Sequence, residues 1–368
     1  MGIIKKTSIP NTIIHYLGFI IGFINVIIVF PNVLSADEFG LTRLFISIAS
    51  IYIQLSSFGI KQINVKFFPF FKTSDNKHHG LVVIGLIIST VGFLIMSGLY
   101  ILFKNNILGV YEGTSSLFID NYYIVIPFAF FLLYFEYFDS YLQAQYKTIF
   151  TNFLRNILLR LIWLSIALIY YYDMISFNQF ILLFISGYLI NLFLILIYLI
   201  VSKRIYLSLD KRYLRKRIIK RILNYGFFQF ISGMAGIVIY HIDKIMISFM
   251  LYEGLKQTAV YAIGAYMCSI LVVPVRQIIR VTFPIITNNW KRKNLDSISE
   301  IYRKSSINLL LIGGFIFIVI WINMSNLIRI LPEEYFAIRY VFLFLAIGEL
   351  FNMATSVNNA IIIASKYY

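Results

Sequence analysis

NQFILLFISGYLINLFLILIYLIV, residues 178–201, carries no charged side chain. A helix of about 20 mostly apolar residues crosses the ~30 Å hydrocarbon core of a bilayer, at a rise of about 1.5 Å per residue. This stretch meets that length. Nine more runs of the same kind lie near 11–31, 40–60, 80–102, 122–144, 153–172, 224–250, 258–281, 305–324 and 338–360. Together they predict an all-α polytopic membrane protein with about ten transmembrane helices. A closed barrel is the other spanning solution, but its short alternating strands are missing.

Composition points the same way. Of 368 residues, 60% are hydrophobic and 13% charged, against about 45–50% and 25% in soluble domains. That much apolar side chain cannot be buried in one aqueous core. A soluble enzyme, a nucleic-acid-binding domain and a disordered regulator are therefore excluded. The single cysteine, Cys268, allows no intramolecular disulfide and no CxxC motif, and reads as a small packing residue. The four histidines form no ligand constellation, so no metal and no cofactor is expected. His78 and His79 fall in a polar loop, SDNKHH, and are expected to be solvated.

The net charge of +16 comes from 32 Lys and Arg against 16 Asp and Glu. With the N-terminus inside, 25 of the 32 fall on inner segments. Five sit at outer ends (Arg43, Lys104, Lys256, Arg329 and Arg339) and two within spans (Arg160 and Lys244). The positive-inside rule then predicts a cytoplasmic N-terminus. The charge reports membrane orientation, and no nucleic-acid partner is expected. The first run follows Lys5 and Lys6 and precedes Val33-Leu34-Ser35-Ala36, which could pass for a cleavage site. It is longer than the ~7–15 residues of a signal-peptide core and carries His15 and Asn25, so it reads as a span.

The segment 202–223 holds nine Lys/Arg and one Asp. It reads as a basic cytoplasmic linker on anionic headgroups. It divides an N-terminal lobe of six spans (1–201) from a C-terminal lobe of four (224–368). Asn11, His15, Gly18, Gly22 and Asn25 form one helical stripe on span 1; Gln229, Gly233, Gly236, Tyr240 and Asp243 repeat that spacing on span 7. The two stripes suggest related halves, as in secondary transporters. The glycines suit close packing. Asn11, Asn25, Gln229 and Asp243 are expected to face water or substrate, because polar groups at depth need a partner. The tyrosine-rich ends, Tyr122-Tyr123 and Tyr170-Tyr171-Tyr172, read as outer interface belts.

Three motifs carry a resemblance. LSADEFGLTRLFISIASIYIQLSSFGIKQINVKFFPFF (34–71) resembles the second span of bacterial polysaccharide flippases, with its acidic-Phe-Gly start and basic-aromatic-Pro exit. The stretch from HIDKIMISFML to AVYAIGAYMCSILVVPVRQI, beginning at residue 241, is similar to their seventh and eighth spans, and NNAIIIASKYY (358–368) to their tenth-span exit. Such proteins belong to the multidrug/oligosaccharidyl-lipid/polysaccharide transporter superfamily. The resemblance implies a V-shaped, MATE-like bundle of two six-helix lobes plus two further helices. It implies flipping of undecaprenyl-diphosphate-linked oligosaccharide repeat units by alternating access. It also implies, as partners, the polymerase and chain-length proteins of the same pathway besides membrane lipids. The chain stops after ten spans, so the C-terminal lobe is expected to be truncated by two helices.

A charge at the bilayer centre costs roughly 3 kcal/mol or more, so each needs a reason. Glu136 and Asp139 on span 4 are expected to cluster with Arg160 on span 5, either as a buried ion pair or with Arg160 as a cationic lumen residue. On span 7, Asp243 is a candidate for ion coupling and Lys244 for anion binding. Arg276 and Arg280, one turn apart on span 8, suit a diphosphate, since each guanidinium grips phosphate bidentately. Glu349, mid-span 10, is a further coupling candidate alongside Glu136 and Asp139. No GxxxxGK[ST] motif occurs, so an ion gradient is the expected energy source. The other readings are a membrane polymerase or transferase, which would want a large outer catalytic loop, and a drug/cation antiporter, whose cavity would favour carboxylates.

Overall fold

A computed structural model describes residues 2–73, 78–206, 216–355 and 357–365. The elements in chain order are α1 (Gly2–Phe23), α2 (Phe30–Val33), α3 (Ala36–Ser57), α4 (Ile60–Phe71), α5 (Leu81–Leu102), α6 (Lys104–Tyr111), α7 (Ser116–Asp120), α8 (Val125–Ala144) and α9 (Thr148–Phe153). They continue with α10 (Leu159–Tyr171), α11 (Phe177–Val201), α12 (Lys216–Met250), α13 (Gly254–Lys291), α14 (Leu295–Ile322), α15 (Met324–Ile328), α16 (Ile338–Ala354) and α17 (Asn358–Ala364). Among the described residues there is no strand, and 10 helices are long and apolar enough to cross a membrane. They match the expected spans. The chain is an all-α polytopic membrane protein.

Two π-helical turns interrupt this regularity. Ile24–Val29 joins α1 to α2, and Leu154–Leu158 joins α9 to α10. Such wide turns insert an extra residue and re-aim the side chains that follow. Some later helices run long. At about 1.5 Å per residue, the 38 residues of α13 reach ~57 Å, well beyond the ~30 Å apolar core.

The chain divides into two compact units, 1–259 and 260–368, with the division inside α13. The sequence placed the boundary at the basic linker, 202–223. The first unit reaches further because α12 packs along α3. That contact needs small residues. A Cβ on Gly59 would lie 2.5 Å from the Gly226 carbonyl oxygen, and Gly233 lies against the Gln54 amide. The central part of the linker, 207–215, lies outside the described residues, as do Lys77 and Lys366.

Within the first unit α3 is central, with 67% of its most apolar stretch buried and with α5, α8 and α12 around it. Its start explains the acidic-Phe-Gly motif. Ser35 N–H donates to Glu38 Oε2 (2.9 Å) and Glu38 N–H to Ser35 Oγ (3.3 Å), a reciprocal cap. The other Glu38 oxygen accepts from the Tyr170 hydroxyl at 2.9 Å. The end of α3 turns at Phe58 (φ 44°) and Gly59 (φ 75°), so α4 leaves on a new axis. An apolar cluster that includes Phe68, Phe135, Tyr141, Leu192 and Leu199 fills the space around α4, α8 and α11.

His78 is a correction to the sequence reading. It is 2% exposed, not solvated. Its ring packs edge-on against Phe68 (centroids 4.8 Å apart), and its Nδ1 accepts from the Thr73 N–H at 3.2 Å. The tyrosine ends also divide. Tyr123, Tyr171 and Tyr172 are exposed, as belts require, whereas Tyr122 is buried and stacked on Tyr100 at 4.3 Å.

In the second unit, α16 packs on α14, where Gly313 lies against Met353. Gly264 on α13 makes room for Val341. Cys268 is buried, as its size suggested. A small cluster of Ile286, Val357 and Ala360 ties α17 to α13.

Gly59→Val tests the break between α3 and α4. It adds a β-branched side chain at positive φ and drives it into the Gly226 carbonyl. A backbone penalty of about 1–3 kcal/mol is expected, seen as a lowered midpoint of thermal unfolding in detergent. Gly98→Ala, where nothing lies within 4 Å, should leave the midpoint unchanged or raised.

Candidate functional site

The polar interior of the first unit centres on Arg155. Its Nη2 lies 2.8 Å from Glu136 Oε1 and 2.5 Å from Asp139 Oδ2. Lys61 Nζ, just past the break between α3 and α4, donates to the other Glu136 oxygen at 3.0 Å. Two cations thus face two carboxylates, and the group is formally neutral. The Arg155 guanidinium also lies over the Phe135 ring, 5.5 Å from its centroid. Tyr188, on α11, is within electrostatic reach of Glu136, Arg155, Arg160 and Arg43.

The expected partner of the carboxylates was Arg160, and this is corrected to Arg155. Hairpin depth gives the reason. Asp139 and Glu136 lie 5 and 8 residues before the end of α8, and Arg155 and Arg160 lie 7 and 12 after the start of α9. At about 1.5 Å per residue, Arg155 is ~10 Å deep, between the two acids at ~8 and ~12 Å, while Arg160 is ~18 Å deep. The wide turn at Leu154–Leu158 carries Arg155 itself and swings Arg160 towards α1. There the Arg160 guanidinium donates to the Gly18 carbonyl.

Span 1 meets span 5 along its polar stripe. Asn11 Nδ2 donates to Thr148 Oγ1 (2.8 Å), and Asn11 Oδ1 accepts from Asn152 Nδ2 (3.0 Å). Asn25 Nδ2 donates to the Arg160 carbonyl at 2.7 Å. A Cβ on Gly18 would lie 2.6 Å from the Asn156 carbonyl oxygen. Asn11 and Asn25, expected to face water or substrate, therefore serve as interhelical glue. His15 lies exposed on α1.

On span 7 the interhelical side-chain hydrogen bonds fall on His241 and Ser248. His241 Nδ1 is 3.1 Å from Ser47 Oγ, and Ser248 Oγ is 3.0 Å from the Tyr111 hydroxyl. Burial pushes that Tyr111 phenol, on the short connection before α7, above its ordinary pKa. Tyr240 and Asp243 of the expected stripe are exposed, and Gln229 is half-buried. Lys244 Nζ donates to the Tyr240 carbonyl (3.1 Å) and lies 4.7 Å from the centroid of that ring.

In the second unit, Arg276 and Arg280 are exposed on α13, and among the described residues neither has a carboxylate partner. Glu349 is half-buried on α16 and accepts from Asn352 Nδ2 at 2.9 Å within its own helix.

Sequence reasoning missed three cations. Lys61 and Arg155 were placed on inner segments and Arg43 at an outer end. Arg43 lies on α3, its guanidinium 4.7 Å from the Phe39 centroid and 5.4 Å from that of Phe30. Depth counting across the α8–α9 hairpin would have found Arg155. The break that brings Lys61 to Glu136 is marked in the sequence only by Gly59.

Comparison with solved structures places this architecture. An inward-facing multidrug resistance MATE family transporter of the MOP superfamily aligns with a TM-score of 0.65 at 13% identity, over 95% of this chain and 83% of that one. A MATE in complex with MaL6 aligns at 0.57 and 14%, over 98% and 85%. A MATE in the straight conformation aligns at 0.55 and 14%, over 98% and 84%. The chain is thus a multi-pass α-helical membrane protein with the MATE fold. A family model described as polysaccharide biosynthesis protein matches residues 4–290. The chain belongs to that family. No curated protein sequence matches it.

A double-mutant cycle tests the ion group. Arg155→Gln with Asp139→Asn should show a coupling of about 1–3 kcal/mol in unfolding free energy, as for residues in one charged network. Arg160→Gln with Asp139→Asn should be additive within about 0.5 kcal/mol. Denaturant titration of the detergent-solubilised protein measures both. Coupling through Arg160 instead would overturn the assignment.

Proposed function

We propose that the protein is a flippase that moves undecaprenyl-diphosphate-linked oligosaccharide repeat units from the cytoplasmic to the outer leaflet of the inner membrane. The family membership supports a role in polysaccharide biosynthesis, and the MATE fold is one that transporters use. The observation that carries the reading is the Arg276–Arg280 face. Two planar guanidiniums one turn apart, exposed and unopposed by carboxylates, suit the two phosphates of such a carrier. The oligosaccharide follows through a polar path while the polyprenyl tail stays in lipid. The basic side is then cytoplasmic, as the asymmetry of Lys and Arg favours.

The ion group around Arg155 takes a different part. It is charge-balanced, so it offers no net attraction to a diphosphate. It holds α4, α8 and the α9–α10 helix in register. Glu349 has no cationic partner among the described residues and is the better candidate for exchanging a coupling ion. A drug/cation antiporter would want accessible carboxylates, whereas Glu136 and Asp139 are each paired with a cation.

The test is the leaflet location of lipid-linked oligosaccharide in spheroplasts of a deletion strain, read with a membrane-impermeant glycan probe. Complete repeat units should accumulate on the inner leaflet. Single units on the outer leaflet would show translocation intact and turn the assignment to a polymerase. The variant Arg276→Ala with Arg280→Ala should fail to restore surface polysaccharide in that strain while reaching the membrane at normal levels. Export retained in that variant would remove the diphosphate role from this pair.

A further inference from the structure

The second unit contains a cavity apart from the Arg276–Arg280 face. It has a volume of about 810 Å³ and lies where α14, α15 and the start of α16 meet. That size falls within the ~300–1,000 Å³ of small-molecule clefts. It lies at the opposite end of α14 from the basic turn at 291–293. Its lining combines two guanidiniums, Arg329 and Arg339, one carboxylate, Glu333, and two aromatic side chains, Trp321 and Phe336.

The aromatic wall is anchored. Trp321 stacks on Phe317 at 6.1 Å and 15°, and Phe317 stacks on Phe342 at 6.0 Å and 13°. Phe342 is fully buried. The Arg339 guanidinium lies 5.2 Å from the Phe336 centroid and 5.3 Å from that of Tyr340. These rings restrict its plane without consuming its hydrogen bonds. Among the described residues, neither Arg329 nor Arg339 is ion-paired. The lining therefore holds one formal positive charge in excess.

We infer that this cavity binds an acidic saccharide. A flat aromatic wall accepts the C–H face of a sugar ring, burying apolar surface without demanding a hydrogen bond. A carboxylate accepts hydroxyl protons. A guanidinium fork pairs bidentately with a carboxylate or phosphate substituent on the sugar. The combination of the three selects an anionic carbohydrate over a drug cation, which the two arginines would repel, and over a plain anion, which has no use for Trp321. The inference rests on the proposed function for the presence of glycan at this face, and it names the acidic class of that glycan.

The purified full chain in lipid nanodiscs gives the test, with tryptophan fluorescence as readout. The probes are a glucuronic-acid-containing disaccharide, the corresponding neutral glucose disaccharide, glucose 6-phosphate and inorganic phosphate. The glucuronic disaccharide or the sugar phosphate should change the fluorescence saturably, at least tenfold tighter than the neutral disaccharide. Which of the two binds tighter tells a carboxylate from a phosphate ligand. Trp321→Phe should remove the signal. Arg329→Ala with Arg339→Ala should weaken binding at least tenfold. Arg339→Lys keeps the charge, loses the fork, and should weaken it severalfold even if the double variant fails to fold. Equal binding of acidic and neutral sugars, inorganic phosphate binding as well as the acidic sugars, or indifference to the arginine substitutions would each overturn the inference. Its failure is distinguishable from that of the flippase reading. Absent binding with intact flipping removes the cavity site alone, and binding with no flipping removes the transport reading alone.

Discussion

Lipid offers no hydrogen bonds and little screening, so every polar group inside a span must find its partner within the protein. The Arg155 bridge is where this constraint bears hardest on the first unit. Glu136 and Asp139 sit one turn apart on α8, and two carboxylates that close repel. Arg155 touches both, and Lys61 takes the remaining Glu136 oxygen. Removing any one member would leave a partly buried charge uncompensated. The group ties α4, α8 and the wide turn at Leu154–Leu158 to one another. The direction of the Arg160 side chain follows from that turn.

Backbone proximity is the second constraint, and it depends on the first. The α1 helix can lie against the fifth span because Gly18 admits the Asn156 backbone, and the gap is then bridged by Asn11 and Asn25. The α12 helix can lie against α3 because Gly59, Gly226 and Gly233 are small. In lipid there is no hydrophobic force between helices, so such close van der Waals contact and the hydrogen bonds it permits supply the association. A stripe of glycine and asparagine therefore has two physical meanings, a lumen or a seam. On α1 it is a seam.

The spans were legible because their signal is a length of unbroken apolar sequence, which no tertiary contact can alter. The helix breaks were less so. The wide turns at Ile24–Val29 and Leu154–Leu158 have no distinctive composition, and the turn at Phe58–Gly59 is marked by one glycine among many. Those breaks decide which charges meet. Depth alone separated Arg155 from Arg160, yet Lys61 was readable only as one more cation near the basic side. His78 shows the same limit. Its neighbours in sequence are polar, but its neighbours in space are Phe68 and Tyr141. Along α12 the expected polar stripe lies to one side of the face that packs. His241 and Ser248 make the contacts, while Tyr240 and Asp243 are exposed.

The distribution of compensated and uncompensated charge separates structure from function more sharply than position does. Three cations of the first unit that lie within its spans or beside them are engaged: Lys61 and Arg155 by carboxylates, Arg160 by a carbonyl. A cation so engaged has little left to offer a ligand, because its field is cancelled or its donors are used. In the second unit Arg276 and Arg280, within the long α13, and Arg329 and Arg339, beside the start of α16, lack carboxylate partners among the described residues. Leaving a guanidinium unpaired costs least at an aqueous end and gains most when an anion arrives there.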